Sequence, residues 1–85
     1  MYGTITIIYS CDKKIDIIDQ ETDSYVYFTD GWNGTKKRYD KDNHILSQEL
    51  KDGTWEPFAD NDKIIEVKIG DEIIYWNEVF FPEDY

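Results

Sequence analysis

The side chains able to serve as nucleophile, base or metal ligand are few here, and they are scattered. Cys11 is the single thiol, His44 the single imidazole, and the serines are Ser10, Ser24 and Ser47. A cysteine–histidine pair works only when the base lies within hydrogen-bond reach of the nucleophile and a third group orients it. Cys11 borders one turn and His44 opens a different hairpin, so the two read as a small buried or half-exposed thiol and a surface imidazole. The 19 acidic residues let an acid–base pair be drawn almost anywhere, which makes any such pair uninformative. No enzyme is expected.

Asp40, Asp42 and His44 have the opening rhythm of a calcium loop. That loop needs glycine where Ile45 stands and glutamate where Lys51 stands, so the motif is not completed. No metal and no other cofactor is expected. The same stretch, Arg38 to Leu46, resembles one unit of the Tyr-Asp type of hairpin repeat, through Tyr39-Asp40 and the turn Lys41-Asp42-Asn43. The resemblance implies a hairpin, with His44 at the place where those repeats favour glycine. It covers nine residues and implies nothing about function.

Two further features bear on binding. Trp32 sits in the loop Asp30-Gly31-Trp32-Asn33-Gly34, where a large ring serves no local purpose. Trp is strongly enriched among interface anchors; the competing expectation is that it folds back over an open barrel end. Trp55 and Trp76 fall inside strands and are expected in the core. Lys36-Lys37-Arg38 is the only basic run, and on an edge strand such charges discourage sheet-to-sheet aggregation.

The elements that must position these residues follow from period-two alternation broken by turn signals. Strands are expected at 4–9, 14–19, 24–29, 36–40, 44–50, 54–58, 63–69 and 73–79. Asp-Gly, Asn-Gly and Gly-Asp pairs mark turns, and Pro57 argues that the sixth strand is an edge. No stretch sustains helical periodicity. The expected fold is all-β: a small antiparallel meander of seven or eight short strands, as a rolled sheet or small barrel in a single domain, with little helix. A chain of 85 residues buries only about 60% of its unfolded surface, and 14 aromatic residues offset that thin core.

Cys11 has no disulfide partner, no charged-then-apolar leader follows Met1, and apolar runs such as Ile73–Trp76 are far too short to span a bilayer. A cytoplasmic protein is expected, and Asn33-Gly34-Thr35 reads as a chance sequon. The net charge is −10, which repels phosphates and anionic membranes and attracts basic protein surfaces.

Of the acids, 12 are Asp and 7 are Glu, and Asp favours turns. A simple meander sends alternate turns to opposite ends. One end would carry Asp12, Asp30, Asp52, Asp71 and Glu72, balanced by Lys13, Lys14, Lys36, Lys37 and Lys51. The other would carry Asp19, Glu21, Asp23, Asp40, Asp42, Asp60, Asp62, Glu83 and Asp84, against Lys41 and Lys63. Turn preference alone would load both ends alike.

The expected function is therefore a non-enzymatic domain that binds the basic surface of a nucleic-acid-handling partner through this acidic end, with Trp32 as a second contact. Small phage anti-CRISPR and anti-restriction antagonists and toxin-immunity proteins act in this way. A domain of this size would span roughly 30 Å, a length over which duplex DNA carries about 18 phosphate charges, so DNA mimicry would require the acids on one side. The rival expectations are a small-molecule or glycan-binding β-module, which a concave aromatic pocket would favour, and an assembly subunit that uses an open strand edge.

Overall fold

The computed structural model describes residues 3–10 and 12–77. Its strands are β1 (Thr4–Tyr9), β2 (Lys13–Glu21), β3 (Tyr25–Thr29), β4 (Lys36–Asp40), β5 (Ile45–Glu49), β6 (Trp55–Pro57), β7 (Ile64–Ile69) and β8 (Glu72–Trp76), with one 3₁₀ turn at Ala59–Lys63. They form one antiparallel sheet in the order β6-β5-β4-β3-β2-β1-β7-β8, curled into a half-barrel. The all-β expectation holds. The last strand is shorter than expected, and residues 78 and 79 lie outside the described residues.

The connectivity departs from a simple meander at one point. After β6 the chain does not pair back onto its neighbour; it crosses to the far side of β1, where Ile64 faces Tyr9 and Ile69 faces Ile5. Asn61 anchors the crossing. Its Oδ1 accepts the Leu46 N–H at 2.7 Å, while its Nδ2 donates to the carbonyls of Leu46 and Phe58, each at 2.8 Å. The side chain continues the ladder on the β5 edge where Pro57 has ended β6. That edge position for β6 is as expected.

Strand alternation builds the core. Ile5, Ile7, Ile18, Val26, Phe28, Tyr39, Leu46, Ile64 and Val67 are buried as one cluster, each aliphatic or Phe side chain contributing about 1.5–3 kcal/mol through its removal from water. The curl also brings the ring of Tyr75 on β8 to 5.0 Å from His44 at the β4–β5 turn.

Three expectations are corrected here. β4 is interior, so Lys36-Lys37-Arg38 does not guard an edge: Lys37 points inward and is buried, while Arg38 stacks over Tyr25 and Trp55, each at 4.5 Å. Trp55 and Trp76 lie on the edge strands β6 and β8, one half-buried and the other 56% exposed, and neither belongs to the core cluster. Trp32 does not fold back over the barrel end, being 89% exposed.

Candidate functional site

Strand β2 carries its apolar residues on the unexpected face. Ile7 pairs with Lys14 and Ile5 with Asp16, and directly opposed residues share a face. Lys14 and Asp16 therefore point into the half-barrel, and Ile15 and Ile17 are exposed. Only the far part of β2 pairs with β3, from Ile18 opposite Phe28 onward. The gap beside the first half of β2 is filled by loop 30–35, and the inward polar groups bind it.

Asp30 is the centre of that loop, and it is buried. Lys14 Nζ and Lys37 Nζ each donate to its Oδ2 at 2.7 Å. The Trp32 N–H donates to its Oδ1 at 2.8 Å. Its own N–H donates to the Thr35 carbonyl, and its carbonyl accepts the Gly34 N–H. Asp16 Oδ1 accepts the Gly31 N–H at 3.1 Å. Gly34 has φ +75°, a backbone conformation that suits glycine and lets the loop close on itself. Burial pushes the Asp30 carboxyl up, but the hydrogen bonds from Lys14, Lys37 and the Trp32 N–H outweigh it and hold the group well below the usual carboxylate range. Trp32 is thus an exposed ring on a loop fixed by a buried ionic centre.

Beneath the loop, in the concave mouth of the half-barrel, lies a pocket of about 440 Å³. Lys14, Lys37 and Lys63 reach it, together with Asp12 and Asp30 and the side chains of Tyr9, Trp32 and Phe58. Lys37 Nζ lies 4.3 Å from the centre of the Phe58 ring, a cation–π contact that helps hold a buried ammonium. A second hollow of about 450 Å³ lies on the β2 side of the loop, against Lys13, Ile15 and Asp16, and is also lined by Trp32.

The acidic residues occupy the opposite rim. The turns joining β2 to β3 and β4 to β5 are tied together, the Lys41 N–H donating to the Ser24 carbonyl and Lys41 Nζ meeting Glu21 Oε2 at 2.7 Å. The β7–β8 turn shares this rim, because Gly70 donates to the carbonyl of Thr4 at the start of β1. The rim therefore carries Glu21, Asp23, Asp40, Asp42, Asp71 and Glu72 against Lys41.

The residues expected to form one binding surface are in this way divided. Glu21, Asp23, Asp40 and Asp42 come together. Asp71 and Glu72, expected at the neutral end, join them, because the crossing before β7 reverses the end at which its hairpin turns. Asp19 lies at a bulge partway along β2 and accepts the Thr29 hydroxyl at 2.7 Å. Asp60 and Asp62 belong to the crossing turn, which carries the chain from Leu46 to Tyr9, and they are not part of the rim. Trp32 stands at the other end of the molecule. Glu83 and Asp84 fall outside the described residues, as does Cys11. Among the described residues no three of His, Cys, Asp and Glu form a group that could hold a metal. Asp40 instead accepts the N–H groups of Asp42 and Asn43 and the Asn43 side chain, serving its turn.

The residues that sequence reasoning missed are Lys14, Asp16, Asp30 and Lys37. The only signal for Lys14 and Asp16 was that polar residues alternate with isoleucines in β2, a pattern that reads equally well with either face inward, while Asp30 and Lys37 stood only as a turn residue and part of a basic run.

The fold and the pockets define a class: an antiparallel β half-barrel with a lysine-lined mouth at one end and an acidic rim at the other. Compared with protein-family models, curated proteins and solved structures, the chain matches none. No helix among the described residues is long and apolar enough to cross a membrane.

Proposed function

We propose that this protein is a non-enzymatic binding domain whose acidic rim engages the basic surface of a partner, the type of partner that handles nucleic acid being the best match in charge. The observation that supports this reading is the segregation of charge: among the described residues, six acids and one lysine on one rim, with that lysine already paired to Glu21. Turn chemistry would place acids at both ends, and the other end instead carries Lys13, Lys14, Lys36, Lys37 and Lys51 against Asp12, Asp30 and Asp52. Such a distribution orients the molecule in the field of a cationic partner and speeds encounter.

Literal DNA mimicry is a poorer fit. The molecule is 44 Å long, a length over which duplex DNA carries about 26 phosphate charges, far above the net −10 here. The rim acts as a local electrostatic patch. The test is capture of partners on the immobilised protein, followed by association kinetics of each captured protein against salt and against rim variants. Rates indifferent to both would exclude the reading.

A second reading, a small-molecule-binding module, is favoured by the pocket beneath loop 30–35. Its volume falls within the ordinary range for ligand sites, about 300–1,000 Å³.

A further inference from the structure

We infer that the pocket beneath loop 30–35 binds a small organic anion bearing an aromatic ring, with its anionic group on Lys14 and Lys37 and its ring against Trp32. This inference rests on the small-molecule reading and is independent of the acidic rim. Two ammonium groups share one carboxylate oxygen, Asp30 Oδ2, each at 2.7 Å. The three charges leave one net positive charge, and Lys37 is only 4% exposed. Each ammonium has three N–H donors and spends one on Asp30, so the centre has donor capacity that the carboxylate does not use. Asp12 on the pocket wall and Asp16 on the same face of β2 as Lys14 offset part of that charge, but ammonium donors left over in a largely buried centre are costly unless an acceptor or ordered solvent answers them.

The surrounding charges sharpen the choice. Lys63 also lines the pocket, and among the described residues Asp12 is the one other carboxylate on its wall. Asp12 accepts the Lys13 N–H through Oδ1 at 2.8 Å. The Lys14–Lys37 pair, with spare donors in a chain of net charge −10, favours an anionic head group over a cation. Ring recognition comes from Trp32, a lining residue whose N–H is held by Asp30 Oδ1 in a loop closed by the Gly34 N–H on the Asp30 carbonyl, while its side chain is exposed. A fixed backbone with a free ring stacks a ligand at small entropic cost.

The experiment is a ¹H–¹⁵N NMR titration of the intact chain with adenosine 5′-monophosphate, indole-3-acetate and adenosine as separate probes. The first two carry phosphate and carboxylate head groups, and the third is the neutral control. At least one anion should saturate, with shifts confined to residues 9–14, 30–37, 58 and 63, and it should bind at least about tenfold more tightly than adenosine, as charge-assisted hydrogen bonds imply. Trp32→Ala and Lys14→Gln should each weaken it by about tenfold or more. Trp32 is exposed, so its removal leaves the fold intact, and Gln can still donate to Asp30. The inference is overturned if neither anion saturates, or if the variants bind like the parent. If adenosine binds as well as the anions, the anionic class is wrong while the small-molecule reading stands. If no probe binds, both fall.

Discussion

Lys37 Nζ lies 2.7 Å from Oδ2 of Asp30, with 5% and 2% of the two side chains exposed. Removing the carboxylate should therefore cost more than removing either lysine. Asp30→Asn leaves two ammonium groups against one neutral amide and should destabilise the fold by about 3 kcal/mol or more. Lys37→Met, which leaves Asp30 paired with Lys14, should cost less. The pH dependence separates these effects. The Asp30 carboxyl is depressed in the fold, so its contribution is fully present above the unfolded value of about 3.9 and is lost as pH falls below it. Urea denaturation at stepped pH from 6 down to 2 should show the gap between parent and Asp30→Asn narrowing below about pH 4. A constant gap would mean that the Asp30 carboxyl titrates alike in the folded and unfolded chain. Asp40 is also depressed, by hydrogen bonds from Asn43, so the variant should keep part of the acid sensitivity.

Trp32 should be dispensable for folding. Its ring is 89% exposed, and its bond to Asp30 runs through the backbone, so Trp32→Ala should change stability by no more than about 0.5 kcal/mol. Thermal unfolding monitored by circular dichroism checks this. A large loss would show the indole packed in solution.

Asn61 makes three hydrogen bonds to β5 and Phe58, and the crossing to β7 depends on them. Asn61→Ala should cost about 2–3 kcal/mol, at about 1 kcal/mol for each bond. Asn61→Asp should do no better, because a carboxylate would face two carbonyl oxygens with no proton to donate. An aspartate variant as stable as the parent would refute the role assigned to Nδ2.

His44 occupies the left-handed region at φ 58°, the position where the hairpin repeat it resembles favours glycine. Its Nδ1 lies 3.2 Å from the Tyr39 hydroxyl. Alanine loses that contact and keeps the backbone strain, whereas glycine loses the contact and releases the strain. His44→Gly should therefore be more stable than His44→Ala by about 1 kcal/mol, as read from denaturant midpoints. Equal stabilities would place the conformation's cost near zero.

The acidic rim has its own test. Asp23→Asn, Asp42→Asn, Asp71→Asn and Glu72→Gln combined should slow association with a basic partner by about tenfold at low salt. The difference should vanish as salt rises from 0.1 to 1 M and the Debye length falls from about 10 to about 3 Å. Asp12→Asn with Asp52→Asn is the control at the other end. If that pair slows association as much, charge position has no bearing on binding.

Much of the architecture was legible in the sequence. Strand positions followed from alternation and β-branched runs, turns from Asp-Gly, Asn-Gly and Gly-Asp, and the β6 edge from Pro57, because each is a local backbone preference. The acidic rim was half legible: Glu21, Asp23, Asp40 and Asp42 lie at alternate turns of the meander, which fall at the same end. Beyond local preference, tertiary structure decided the outcome. Which face of β2 turns inward depends on its register with β1 and on loop 30–35 supplying partners for Lys14 and Asp16, a choice invisible in a strand where isoleucine alternates with charge. The side of the sheet that β7 joins depends on Asn61 reaching Leu46, a contact 15 residues apart in sequence, and that choice alone moved Asp71 and Glu72 to the acidic rim and Asp60 and Asp62 away from it. The ionic centre at Asp30 joins residues 14, 30 and 37 from two strands and a loop, and only the curl of the sheet brings them within hydrogen-bond reach.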